Sequence, residues 1–234
     1  MIGKLARTIW TKLMLAILGV LTGSILLGYY ILPDKPDIPP AQAINHALEN
    51  TAQSRSYKYN ITVTTVIDGK EQVASTVAGE RENKNRIHIK GQIYDSEIDF
   101  YQIDTTTFTK DQLTGEWIKI TDNQINQQEI FMNELNPLAN LAFKELNDTA
   151  FAGIQKEGSK KFWVYTAKPV VNNKYMQILW KDFQYKFFLE PRSLLIDKVE
   201  VTAVSKNNPA DKMKLVVEFK NYNSSIQVDP PKTK

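Results

Sequence analysis

Few side chains in this sequence could do acid–base, nucleophilic or metal chemistry. Two histidines occur, His46 and His88. His46 falls in a predicted helix, offset from its apolar Ile44–Leu48 face. His88 sits between Ile87 and Ile89 on a predicted strand, so it points away from both. Neither has a second histidine at ligand spacing, and both read as ordinary surface residues rather than general bases. Asp95, Glu97 and Asp99 would suit a glycosidase only if two carboxylates converged at a defined separation. They read as solvated strand positions. The chain has no cysteine, which excludes disulfides, thiolate nucleophiles and cysteine metal sites. No G-x-S-x-G, H-E-x-x-H or P-loop pattern occurs. The expectation is a protein that is not an enzyme, with no catalytic residue, no metal site and no cofactor.

What remains is apolar. Phe100, Phe108, Trp117, Phe162, Trp163, Tyr165, Trp180, Phe183, Tyr185, Phe187, Phe188 and Phe219 crowd one region. They read equally as the wall of an apolar ligand site and as core packing in strands.

The elements that must position these side chains begin with a membrane segment. No charge occurs from Leu13 to Leu32, a run of mostly apolar residues. As a helix, 20 such residues span about 30 Å, the hydrocarbon thickness of a bilayer. A secretory signal has a shorter apolar core and a small-residue cleavage site close behind it; the nearest A-x-A is Ala41-Gln42-Ala43. Ser24 stands where a lipoprotein signal would carry its lipidated cysteine. A retained single-pass anchor over 13–32 is the reading. Lys4, Arg7 and Lys12 precede it, which places residues 1–12 in the cytoplasm and the rest outside. Those three cations account for the net charge of +3, so the remainder is neutral. That leaves no basic footprint for nucleic acid. Gly19 and Gly23 form a G-x-x-x-G that reads as ordinary membrane-helix composition or as a dimer face.

Residues 33–40, "PDKPDIPP", form a proline-rich linker that reaches about 25 Å at most. Residues 41–234 are then one extracytoplasmic domain. A short helix begins near Pro40. After Ser54 the apolar period changes from 3.6 to 2. Tyr57, Tyr59, Ile61, Val63, Thr65 and Ile67 share one face, and Asp68-Gly69 turns the chain back. Strands are predicted over 57–67, 71–81, 86–94, 97–103, 106–111 and 116–120. A helical stretch over 127–147 interrupts them, with Phe131, Leu135, Leu138, Leu141 and Ala142 on one face. Pro137 restarts it as a second helix capped by Asn136. Strands resume over 149–157, 160–168, 184–190, 194–205 and 212–220, with a possible short helix within 172–182. The class is α+β, mainly β: about eleven strands in an antiparallel sheet, with its apolar side covered by short helices.

Three stretches carry a resemblance. "FYQIDTTTFTKDQLTGEWIKI" (Phe100–Ile120) is a hairpin leading to G-x-W. "NELNPLANLAF" (Asn133–Phe143) has an N-P-L start, and "YKFFLEPRSLLIDKVEVTA" (Tyr185–Ala203) has a proline turn. Their order resembles the LolA/LppX/LprG superfamily of lipoprotein- and lipid-carrier domains. That resemblance implies a curved, unclosed sheet covered by helices, with a cavity that takes a lipid or acyl chain without catalysis. The cavity is expected from Tyr59, Ile61, Val63, Ile87, Ile89, Phe100, Phe131, Leu135, Leu138 and Leu141. The alternative is a sensory or protein-interaction domain with a plugged cavity and a membrane protein partner.

Overall fold

The computed structural model describes residues 36–121 and 135–232. The predicted anchor 13–32 and Phe131 lie outside them. Among the described residues no helix is long and apolar enough to cross a membrane. Residues Ile38–Lys234 make one compact unit.

Pro40 opens helix α1 (Pro40–Gln53), where its missing N–H costs nothing. The helix buries Ala43, Ile44, Ala47 and Thr51 along one stripe. Thr51 Oγ1 accepts the Ile196 N–H at 3.3 Å. Five hairpin-linked strands follow: β1 (Tyr57–Ile67), β2 (Lys70–Asn83), β3 (Arg86–Ile93), β4 (Ser96–Ile103) and β5 (Thr106–Lys110), then β6 (Trp117–Ile120). Asp68 and Gly69 both have positive φ, as a two-residue hairpin turn requires.

The segment after Leu135 departs from expectation. Asn136 does cap the turn at Pro137, its Oδ1 accepting the Leu138 N–H at 3.0 Å. The second helix does not follow. A single 3₁₀ turn, Ala139–Leu141, is succeeded by extended Ala142 and by strand β7 (Phe143–Glu145). Tertiary pairing overrides local propensity here, because β7 joins β10 (Val170–Val171) in a small separate sheet. Between them run β8 (Ala150–Glu157) and β9 (Lys160–Ala167). Helix α2 (Lys174–Leu179) lies within the predicted 172–182. The chain ends with β11 (Trp180–Leu189), β12 (Ile196–Ser205) and β13 (Lys212–Lys220).

Eleven of these strands form one antiparallel sheet in the order β6-β5-β4-β3-β2-β1-β13-β12-β11-β9-β8. Its two end strands do not pair with each other, so the sheet is unclosed. One face carries the core. Along β13, Met213, Leu215, Val217 and Phe219 are buried, while Lys214 and Glu218 between them are exposed and Val216 is half-buried. Period-2 burial of this kind is what a sheet with one dry face imposes. The core runs from Ile89 and Phe100 on one wing, through Tyr59 and Val217, to Tyr165 and Phe187 on the other. The irregular tail is tied down: Val228 N–H donates to Glu82 Oε2 at 2.9 Å, and Arg86 Nη2 donates to the Val228 carbonyl at 2.6 Å.

Candidate functional site

Alternation along β1 and β2 brings Ile61, Val63 and Val77 to the inner face. Met213 and Leu215 of β13 stand beside them. Together with Ile93 these side chains wall a cavity of about 160 Å³. Leu135 and Met176 line it from the cover, and the exposed Tyr94 and Leu179 and the half-buried Trp180 complete the lining. The walls are apolar except for Ser75, Asn140 and Asn173. Asn173 Nδ2 donates to Asn140 Oδ1 at 3.2 Å, and Asn173 Oδ1 accepts the Met176 N–H at 3.2 Å. That pair locks the 3₁₀ turn to α2, so two separate covering pieces behave as one.

Two tyrosines hold the same cover. Tyr59 Oη donates to the Leu135 carbonyl at 2.9 Å, and Tyr185 Oη donates to the Asn140 carbonyl at 3.1 Å. Burial holds both phenols well above the ordinary tyrosine range, with Tyr57 adding to the effect at Tyr59. They act as neutral donors at every working pH.

The residues expected from sequence divide into three groups. Ile61, Val63 and Leu135 line the cavity. Tyr59, Ile89, Phe100 and Leu141 are buried core residues away from its wall, and Ile87 and Leu138 pack partly buried against that core. Phe131 falls outside the described residues. Val77, Met213, Leu215, Met176 and the Asn140–Asn173 pair were not anticipated. The β13 alternation was a usable signal for Met213 and Leu215. Nothing local marked Asn140 or Asn173, whose pairing is set by tertiary structure.

The outer face corrects the reading of His88 as an ordinary surface residue. Its ring stacks on Tyr101 with centroids 3.9 Å apart and 7° between planes. Nε2 lies 2.8 Å from Asp99 Oδ1, and Nδ1 lies 3.4 Å from Glu80 Oε1. Lys58 Nζ reaches Glu80 Oε2 at 2.6 Å. Partial burial alone would push the Glu80 carboxyl up, but hydrogen bonds from Lys58 and His88 and their charge hold it below the usual range. These four groups, on neighbouring strands, satisfy one another. Asp99 is thus a hydrogen-bond partner of His88 rather than a solvated position. His46 is exposed. Among the described residues no group of three or more histidines and carboxylates could hold a metal ion.

The fold has solved counterparts. The crystal structure of lipoprotein LppX from Mycobacterium tuberculosis aligns with a TM-score of 0.54 over 83% of this chain and 100% of its own, at 10% identity. LprF from Mycobacterium bovis aligns with a TM-score of 0.51 over 81% of this chain and 95% of its own, at 8% identity. No family model matches the sequence. No curated protein matches it. At these identities the likeness is one of fold, and the chain has an LppX-like fold.

Proposed function

We propose that this domain handles lipid outside the cytoplasmic membrane, taking an acyl chain into the inner-face cavity while residues 13–32 tether it to the bilayer. The observation that carries the reading is the cavity itself. It is walled mainly by apolar side chains, and two of its lining residues, Tyr94 and Leu179, are more than half exposed and so mark where it would open. A carrier needs a dry interior connected to an outlet, and each buried CH₂ contributes about 0.8 kcal/mol. The neighbours of this fold include a lipoprotein.

A second reading rests on size. A cavity of about 160 Å³ matches one that admits a benzene-sized guest. It is smaller than the roughly 300 Å³ at which ordinary ligand pockets begin. A domain whose cover stays shut would present its surface to a membrane protein partner instead.

One titration separates the two readings. Residues 38–234, extracted with organic solvent, are titrated with a fluorescent fatty acid. Saturable uptake is expected for the wild type. Ala74→Leu adds a branched side chain at a buried position of the wall, and it should weaken uptake while leaving the thermal transition in place. A wild type that takes up no probe would exclude the carrier reading.

A further inference from the structure

Nine large apolar side chains are exposed among the described residues, and their distribution is lopsided. Ile67 and Val73 flank the β1–β2 turn. Tyr94 lies in the β3–β4 turn and Leu113 in the β5–β6 turn. Val170, Ile178 and Leu179 lie on the connection from β9 to β11. Every one of these connections is at the same end of the antiparallel sheet. The other two, Ile118 and Ile154, lie on the end strands β6 and β8. At the opposite end three turns are polar, Lys84–Asn85, Asp104–Thr105 and Gly158–Ser159, and the β11–β12 turn keeps its Leu194 packed against the core. Sequence chance scatters exposed apolar residues singly. It does not place seven on, or within a few residues of, the connections of one pole.

We propose that this pole is a membrane-docking crown that lays the cavity mouth against the lipid surface. Tyr94 supports it twice. The residue is 67% exposed and lines the cavity. Its φ of 50° is a left-handed conformation that bulky residues rarely hold without a purpose. Leu113, 97% exposed, caps a turn built to project it. There Asp111 Oδ1 accepts the Leu113 and Thr114 N–H groups at 2.9 and 2.7 Å. A bilayer is the occupant because of the chain outside the described residues. If 13–32 is an anchor, the linker holds the domain within about 25 Å of lipid at all times. The proposal rests on that anchoring and extends the lipid-handling reading. The crown's lysines, among them Lys70, Lys174, Lys206 and Lys212, are balanced by Asp68, Glu71, Asp182 and Asp211. Docking therefore depends on apolar insertion, with lysine stems lying along the interface, rather than on anionic lipid.

The cysteine-free chain suits the test. Full-length protein is reconstituted in phosphatidylcholine vesicles with a single cysteine at position 94 or 113, or at polar-pole position 84 or 159. Each cysteine carries an environment-sensitive fluorophore. The proposal expects blue-shifted emission and quenching by doxyl-labelled lipid at 94 and 113, and water-like, unquenched emission at 84 and 159. Adding anionic lipid should leave the pattern unchanged. Leu113→Asp combined with Ile178→Asp should abolish quenching at 94 while the protein still floats with the vesicles. Water-like emission at all four positions overturns the proposal, as does a chain that fails to float. Protection of 94 and 113 in native envelope membranes but not in pure lipid overturns it in favour of a protein partner. Because quenching needs no bound acyl chain, its failure is separate from failure of the fatty-acid titration.

Discussion

The Tyr59 ring occupies the place where a β-carbon of Gly79 would be. The two residues face each other across β1 and β2, and a β-carbon built on Gly79 would lie 2.1 Å from Tyr59 Cζ. The glycine is kept for space rather than for backbone freedom. It lets the ring lie flat on the sheet with its hydroxyl on the Leu135 carbonyl.

Gly79→Ala should therefore destabilise the domain by about 1–3 kcal/mol, the usual range for overpacking. The loss should shrink when Tyr59→Ala is present, because the clash then has no partner. Urea denaturation of both single mutants and the double mutant checks this. Additive losses would mean that the ring does not rest on Gly79.

The outer face makes a separate stability prediction. Phe188 is buried, with the ammonium groups of Lys198 and Lys186 at 4.2 and 4.8 Å from its ring centre. Phe188→Leu keeps the hydrophobic volume roughly but loses the ring face, at about 0.5–2 kcal/mol. The same substitution in a Lys186→Met, Lys198→Met background should cost less. Thermal denaturation of the four proteins gives the coupling.

Acid should act through Glu80. Its folded carboxyl titrates below the ordinary value, so the unfolded chain binds a proton first as pH falls. The stability it contributes is complete above about pH 4.5 and is lost as pH drops through the folded value. Glu80→Gln should be less stable than the wild type at neutral pH and show a flatter decline below about pH 4.5. Chemical denaturation across pH 3–7 reads both.

Alkali should act through the buried phenols. Burial lifts Tyr165 to about 12 and carries Tyr59, Tyr185 and Tyr222 higher. Their neutral forms favour the fold below the unfolded value near pH 10, and that contribution fades as pH rises beyond it. Tyrosinate absorbance at 295 nm should lag behind that of the urea-unfolded chain, then rise together with loss of the fold. Coincident titration of the two states would contradict the burial.

The sheet was readable because its physics is local. Tyr57 to Ile67 alternates, Asp68-Gly69 turns, and each hairpin repeats the pattern with its ends within a few residues of expectation. Pro40 marked α1 for an equally local reason. The stretch after Pro137 was misread because Leu138, Leu141 and Ala142 keep a helical period while Phe143 is claimed by Val171, a partner far along the chain. The cavity was readable only by halves. Ile61 and Val63 follow from strand parity. The Asn140–Asn173 clasp and the closing Met176 depend on which cover piece lands where, which no window of sequence contains. His88 was misjudged for the same reason: Glu80 and Asp99 become its neighbours through strand pairing alone.

The order of strands places β1 beside β13, with Tyr59 opposite Phe219. The β1–β6 meander can zip from local hairpins as soon as it is made, but its inner edge stays bare until Lys212–Lys220 arrives. During synthesis the growing chain must carry that open seam until β13 is made. Only the last strand welds the two wings together. A chain halted before Met213 would keep most of its hairpins yet offer β1 and β12 as sticky margins to other chains.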